Sequence, residues 1–155
     1  VQAARAVADA RKAALAESER GAKSIEERVQ VLRQLIQTEE KLMGAERKVA
    51  DRAETDLARL TAGLRDVPPA GRDAAHAEVA AVQKRLAAAR ARVAVVTERI
   101  AALNVRLHER EQEHIRALQQ VDANRSEVAS ADRELERLAD PLAARNVTQW
   151  LVTHG

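Results

Sequence analysis

The sequence contains no cysteine, no phenylalanine and no tyrosine, and its only aromatic residue is Trp150. Without cysteine the chain forms neither a disulfide nor a thiolate metal site, and its compartment stays open. Aromatic side chains usually supply much of a compact core, because each buries on the order of 150–250 Å². Their near absence therefore argues against a thick globular core and favours a thin seam of aliphatic side chains between helices.

Long apolar runs are also missing. The longest uninterrupted apolar stretches are only a few residues, whereas a membrane-spanning helix needs about 20, so we predict no membrane span. No set of residues stands out as a catalytic, cofactor or metal site, and we predict that the chain is not an enzyme. It starts at Val1, already inside a helical repeat and without Met. We therefore expect it to be a piece of a longer protein.

What the sequence does contain is a strict repeat of seven residues in each half of the chain, the a/d pattern of a coiled coil. In the first half the a track is Val1, Ala8, Leu15, Ala22, Val29, Ile36, Met43, Ala50, Leu57 and Leu64, and the d track is Ala4, Arg11, Ser18, Ile25, Leu32, Glu39, Glu46, Ala53, Leu60 and Val67. In the second half the a track is Val79, Leu86, Val93, Ile100, Leu107, His114, Val121, Val128 and Leu135, and the d track is Val82, Ala89, Val96, Leu103, Arg110, Ala117, Asn124, Ala131 and Leu138.

A break separates the two halves at Val67-Pro68-Pro69-Ala70-Gly71. Prolines remove helix donors and glycine permits a tight bend. We therefore predict an all-α fold, a long antiparallel two-helix coiled-coil hairpin with arms 1–66 and 73–139 and a turn at 67–72. The second helix is expected to end at Asp140-Pro141, which leaves 141–155 as a short C-terminal helical segment.

Charges at the e and g positions select one register of this hairpin. Folding about Pro69 and Ala70 pairs Leu57 with Val82, and in this register the flanking positions give six pairs of opposite charge. Slipping by one heptad in either direction brings like charges together, so the charges specify the register more than they stabilise it. The six pairs are Glu54–Arg90, Arg33–Glu111, Glu19–Arg125, Lys12–Asp132, Asp56–Arg85 and Arg28–Glu113.

Apolar residues beyond the a/d tracks are candidates for binding a protein partner. Leu35, Leu42 and Val49 occupy consecutive g positions of the first helix, with Val31 nearby, and they widen its apolar stripe beyond what one helix covers. Either the stems of Arg92, Arg99 and Arg106 lie over these residues, or another helix packs there, as in a dimer of hairpins. A second candidate is the tail, where Val147, Trp150 and Leu151 would form a docking peptide or fold back on the hairpin.

A basic stretch over residues 84–106 is a candidate site for an anionic ligand. It holds six basic side chains against one acidic residue, Glu98, and such a stripe could follow a phosphate backbone. No aromatic residue is interleaved to stack on bases, and Asp56 is the expected partner of Arg85, so a solvated face is the simpler interpretation. The six residues are Lys84, Arg85, Arg90, Arg92, Arg99 and Arg106.

Polar residues on the core tracks offer weaker alternatives. His114 follows Glu111 by three residues, which is half of a di-iron carboxylate motif, but no second pair completes it. We expect a tolerated polar layer and no metal. Glu39, Glu46 and Arg110 are expected to extend out of a narrow seam, and Asn at a core position commonly fixes register.

These features predict a non-catalytic structural or protein–protein interaction module, a rigid helical arm in a larger assembly. In overall plan it resembles the helical-hairpin stalk subunits of flagellar and injectisome export ATPases, which have a similar length and two-helix build. That resemblance implies a stalk role. The alternative is a nucleic-acid-associated arm that uses the 84–106 stretch, as in chromosome-maintenance ATPases.

Overall fold

The computed structural model describes the backbone of residues 1–154, and the side chains of 1–140 and 150–153. Helix α1 spans Gln2–Gly63 and helix α2 spans Arg72–His154, joined by the short 3-10 turns Leu64–Asp66 and Pro69–Gly71. The two long helices pack against each other, and the described part of the chain contains no strand. The predicted all-α helical hairpin is confirmed. It divides into two units, Val1–Val29 with Glu109–Gly155 (unit 1) and Gln30–His108 (unit 2).

The connection between the two α-helices covers residues 64–71, and the turn predicted from the sequence was 67–72. Only Val67 and Pro68 lie between the two 3-10 turns, and α2 starts at Arg72, directly after the second of them. The backbone N–H of Gly71 donates a 2.9 Å hydrogen bond to the carbonyl oxygen of Pro68. A Cβ at Gly71 would lie 3.3 Å from Cγ1 of Val67, and no glycine in the described chain has a positive φ. Close approach of the Val67 side chain, and not a left-handed bend, is what this glycine permits.

Unit 2 is an antiparallel pair made by residues 30–63 of α1 and 72–108 of α2. Its direction follows from two ion pairs, in which Arg85 lies 3.7 Å from Asp56 and Arg90 lies 3.8 Å from Glu54. Both pairs were predicted from the charge pattern. Every buried apolar residue of this unit falls on a predicted a or d track: Ile36, Ala53, Val82, Leu86, Ala89 and Val96.

Unit 1 is also an antiparallel pair, between residues 1–29 of α1 and the part of α2 that follows His108. Lys12 lies 3.6 Å from Asp132 and Glu19 lies 3.7 Å from Arg125, as the charge pattern predicts. Glu113, expected to pair with Arg28, instead lies 2.7 Å from Arg110 on its own helix. The buried residues again follow the tracks: Ala8, Ala22, Val29, Val121 and Asn124.

The second helix does not end where the sequence predicts. Helix α2 continues through Asp140 and Pro141 to His154. A proline within a helix loses its own N–H donor and clashes with the carbonyl four residues earlier, but this strains one turn and does not prevent helix on both sides. Residues 141–154 of the predicted separate segment are therefore the end of α2. Its side chains at 141–149, including Val147, lie outside the described residues, and its docking or fold-back role stays a prediction.

None of the described helices is apolar over enough of its length to cross a membrane.

Candidate protein-binding surface

The apolar stripe of α1 in unit 2 is exposed. Residues three or four positions apart share one helix face, so Val31 and Leu35 lie beside each other, and Leu42 and Val49 extend the row by one heptad each. These four side chains are between 40% and 55% exposed, whereas Ile36, on the a track, is 7% exposed. The stems of the facing arginines therefore leave much of the stripe uncovered.

The polar d positions explain why the stripe lies to one side of the seam. Between Leu35 and Val49 the d track of α1 holds Glu39 and Glu46, while the apolar residues occupy a and g. The aliphatic surface of α1 is thus centred between a and g, rotated away from the a/d seam that faces α2. One helix cannot cover a stripe placed this way, and the g side remains open.

A groove lies between the exposed stripe and α2, and we name it the Arg92 groove. Leu42 forms one wall and Val95 the other, and Glu46 and Arg92 form an ion pair along it. The Nε of Arg92 donates a 2.8 Å hydrogen bond to Oε2 of Glu46. The lining residues are Leu42, Glu46, Ala91, Arg92, Val95, Val96 and Arg99.

A second ion pair follows one heptad away. Nη2 of Arg99 lies 3.1 Å from Oε2 of Glu39. This oxygen is buried and accepts no hydrogen bond from any described group. Its contact with Arg99 is therefore an ion pair without a hydrogen bond. Glu39 and Glu46 thus extend from d positions towards g arginines of α2, as long side chains in a narrow seam do.

The predicted anionic-ligand residues are already engaged in large part. Four of the six lie within 4.0 Å of a carboxylate on α1, because each faces an acidic residue across the seam. An anionic ligand would compete with these carboxylates for the same guanidinium groups. The engaged residues are Arg85, Arg90, Arg92 and Arg99.

The polar core position Asn124 is buried and hydrogen-bonded. It is 8% exposed, and its Nδ2 donates a 3.0 Å hydrogen bond to Oγ of Ser18 on the opposite helix. Its Oδ1 accepts a 3.0 Å hydrogen bond from Nε2 of Gln120. Since buried polar groups are costly unless bonded, this layer favours the one register that aligns Asn124 with Ser18.

The described side chains form no metal-binding cluster. Within the side chains that the structure describes, no group of three or more His, Asp or Glu residues comes together to hold a metal ion. His114 lies half-buried on its core track, and Glu111 is also half-buried.

The described tail residues are exposed. Trp150 is 59% exposed and Leu151 58% exposed. An apolar patch at a helix end can bind a partner, but the adjacent side chains that would define its shape lie outside the described residues.

Sequence reasoning missed several exposed apolar residues of α2. Val95 belongs to the Arg92 groove and occupies a c position of α2, beside the g arginines. The same search for a widened apolar stripe, applied to the second helix, would have found it. The other missed residues of this kind are Val105, Ile115 and Leu118.

No family model, no curated protein and no solved structure matches the chain. Its function must therefore be inferred from its own residues.

Proposed function

We propose that this chain is a non-catalytic protein–protein interaction module, a helical arm that presents a binding surface within a larger assembly. The observation that carries the proposal is the exposed row of Leu35, Leu42 and Val49 beside a core that α1 and α2 already fill. Contiguous apolar surface on a soluble helix is a recurrent mark of a protein-binding site. The stalk role that the architecture suggests is one form of this function.

The binding surface has the make-up of a helix-binding groove. An amphipathic helix binds by laying its apolar face into an apolar groove, and charged residues at the rim set partner choice and orientation. The Arg92 groove has aliphatic walls, Leu42 and Val95, and its rim carries Arg92 and Arg99. These arginine side chains are about half exposed (51% and 50%) even in their ion pairs, so they can form further contacts.

The alternative, a nucleic-acid-associated arm, has less support. Unit 2 carries 14 basic and 10 acidic residues, which is a modest surplus. Its arginines face carboxylates of α1, and those carboxylates would repel phosphates. Mobility of duplex and single-stranded DNA on a gel at low salt tests this directly, since phosphate contacts strengthen as salt falls. We expect no shift.

Affinity capture from an extract of the source cells tests the proposed function. The bait is the chain itself and a variant with Leu35→Glu, Leu42→Glu and Val49→Glu. The control variant carries Gln30→Glu, Gln37→Glu and Ala58→Glu, which adds the same charge at exposed positions of α1 away from the stripe. All three chains should show the same helical circular dichroism, because none of the substitutions touches the a/d seam.

The stripe variant should lose a protein that both the unmodified chain and the control retain, whether that protein is a second copy of the chain or another polypeptide. Identical sets of captured proteins from all three baits would contradict the proposal. A loss of helicity confined to the stripe variant would show that the stripe belongs to the core, which would also contradict it.

A further inference from the structure

A second groove, in unit 1, matches the Arg92 groove position by position. We name it the Glu127 groove. Val7 forms its wall on α1, and Arg11 and Glu127 form an ion pair along it, with Nη1 of Arg11 2.7 Å from Oε2 of Glu127. The lining residues are Val7, Arg11, Ser126, Glu127, Ser130 and Ala131.

All six lining residues of the Glu127 groove have a counterpart in the Arg92 groove, five heptads away on the same helix. Because a shift by whole heptads preserves the position in the repeat, each counterpart occupies the same kind of site relative to its seam. The counterparts are Val7 with Leu42, Arg11 with Glu46, Ser126 with Ala91, Glu127 with Arg92, Ser130 with Val95, and Ala131 with Val96.

The two grooves have opposite charge at equivalent positions. In unit 2 the d position is the acid Glu46 and the g position of α2 is the base Arg92. In unit 1 the d position is the base Arg11 and the g position is the acid Glu127. The ion-pair distances are nearly equal, 2.8 Å and 2.7 Å. The g side chains keep half their surface exposed, 51% for Arg92 and 49% for Glu127, so each can take a second partner of opposite sign.

The reversal extends along the g track of α2. Within unit 2 the g position at 78 is glutamate and the four from 85 to 106 are arginine, and the next four g positions, in unit 1, are acidic or amide. From position 85 the track reads Arg85, Arg92, Arg99, Arg106, Glu113, Gln120, Glu127 and Glu134. The net charges agree with it, since unit 2 has 14 basic and 10 acidic residues while unit 1 has 12 basic and 14 acidic.

The grooves also differ in side-chain size in a complementary way. The Arg92 groove has large exposed walls, Leu42 and Val95. At the counterpart of Val95 the Glu127 groove has Ser130, and the g positions of α1 in unit 1 after Val7 are Ala14, Gly21 and Arg28, of which the two nearest Val7 are small. A Cβ at Gly21 would meet nothing within 4 Å. Large side chains pack against small ones when two surfaces interdigitate, and here Leu42 and Val95 of the Arg92 groove are the large side chains and Ser130 and Ala131 of the Glu127 groove are small ones.

We infer that the Arg92 groove of one copy of this chain binds the Glu127 groove of a second copy. The contact places exposed Arg92 against the second copy's Glu127. Four charged side chains then follow one another across the contact with alternating sign: Glu46, Arg92, the second copy's Glu127 and the second copy's Arg11. Leu42 and Val95 cover the small side chains of the other groove. This inference rests on the proposed function and names the partner of the same surface.

A second copy accounts for more of the surface than an unrelated partner does. An acidic amphipathic helix from another protein would satisfy the Arg92 groove alone. Such a helix would leave unexplained why unit 1 has a groove with reversed charges at the equivalent heptad positions. Electrostatic complementarity of this kind sets register and suppresses wrong pairings.

Cysteine crosslinking between differently labelled copies tests the inference. The chain contains no cysteine of its own, so only the introduced cysteines can form disulfides. One chain carries Ala91→Cys in the Arg92 groove and the other carries Ser126→Cys in the Glu127 groove; both replacements are small. The control chain carries Gln37→Cys, at an exposed position of α1 away from both grooves. In oxidising buffer at low salt, the mixed disulfide between the two groove cysteines should form at least about tenfold faster than any disulfide to the control.

Charge reversal then tests the pairing itself. Arg92→Glu in the first chain should slow the mixed disulfide by about tenfold, the effect of losing ~1.4 kcal/mol of contact. Combining it with Glu127→Arg in the second chain should restore the rate, because the opposed signs are exchanged and not lost. Circular dichroism of each chain shows that the hairpin persists.

Two results would overturn the inference: mixed disulfides no faster than those to the control, or a monomer in sedimentation velocity at tens of micromolar. After either result, the capture experiment decides the proposed function separately. That function stands if the unmodified chain and the control retain another protein that the stripe variant loses. It would fall together with the inference only if the capture experiment also found no difference.

Discussion

Asn124 donates a 3.0 Å hydrogen bond from Nδ2 to Oγ of Ser18, across the seam of unit 1. The hydroxyl of Ser18 donates in turn to the carbonyl oxygen of Leu15 at 2.8 Å. The amide of Asn124 is buried, so its hydrogen bond to Ser18 replaces one to water that folding removes. Moving either helix by one heptad would separate the two side chains and leave the amide without this acceptor. The pair therefore acts on which register forms more than on how stable the fold is.

Replacing this pair should separate stability from specificity. Asn124→Val should raise the midpoint of urea unfolding, because a polar residue at a core position lowers coiled-coil stability. Ser18→Ala should lower the free energy of unfolding by about 1 kcal/mol, since it leaves the buried amide short of an acceptor. Circular dichroism in urea measures both. Equal destabilisation by the two substitutions would mean that the layer contributes stability and not specificity.

Neighbouring residues 35 and 36 should respond very differently to truncation. Ile36 is 7% exposed and Leu35 is 47% exposed. Ile36→Ala should lower the free energy of unfolding by about 2–4 kcal/mol, as for a buried aliphatic side chain, and Leu35→Ala by less than about 1 kcal/mol. Urea unfolding at a dilute concentration, where copies do not associate, measures the difference. Similar losses at both positions would place the stripe inside the core.

The two d-position glutamates should also differ. Oε2 of Glu39 is buried without a hydrogen bond, whereas Oε2 of Glu46 accepts a 2.8 Å hydrogen bond from Arg92. Glu39→Leu should raise the free energy of unfolding by about 1 kcal/mol, since replacing a poorly satisfied ion-pair member by an apolar side chain is often stabilising. Glu46→Leu should gain less, because it also removes a hydrogen bond. Destabilisation by Glu39→Leu would show that its pair with Arg99 supports the fold.

The end of α2 should contribute little to the stability of the isolated chain. Trp150 is 59% exposed, so its emission maximum should be that of an indole in water and a soluble quencher should reach it. Deleting 141–155 should leave the melting temperature nearly unchanged, because every buried residue among the described side chains lies before 141. Blue-shifted emission that resists quenching, or a large drop in melting temperature, would show the tail folded against the hairpin.

The seam was predictable from the sequence because a period of seven leaves little choice of face. Val82 and Ala89 are buried as their d positions require, and Asn124 is buried although it is polar. The predicted pair of Lys12 with Asp132 forms because e and g positions flank the seam on fixed sides.

The sequence did not predict features that depend on side-chain conformation. Glu46 reaches Arg92 from a d position, a pairing that the e/g rule does not consider. The exposed wall at Val95 requires knowing how the α2 surface meets the stripe of α1. At Pro141 the local signal was strong, but α2 continues on both sides of this proline. Proline signals therefore marked the connection between the helices, where Pro68 and Pro69 lie within residues 64–71, but they also predicted an end of α2 that the helix does not have.

Disulfide formation between cysteines placed at positions 57 and 82 tests the hairpin and its register most directly. These residues face each other across the seam of unit 2 in the predicted register, and a disulfide needs Cα atoms closer than about 7 Å. Leu57→Cys with Val82→Cys should oxidise within one chain in high yield, and Leu57→Cys with Ala89→Cys, one heptad away, should not. Equal yields from the two pairs would contradict the register on which both grooves and their ion pairs depend.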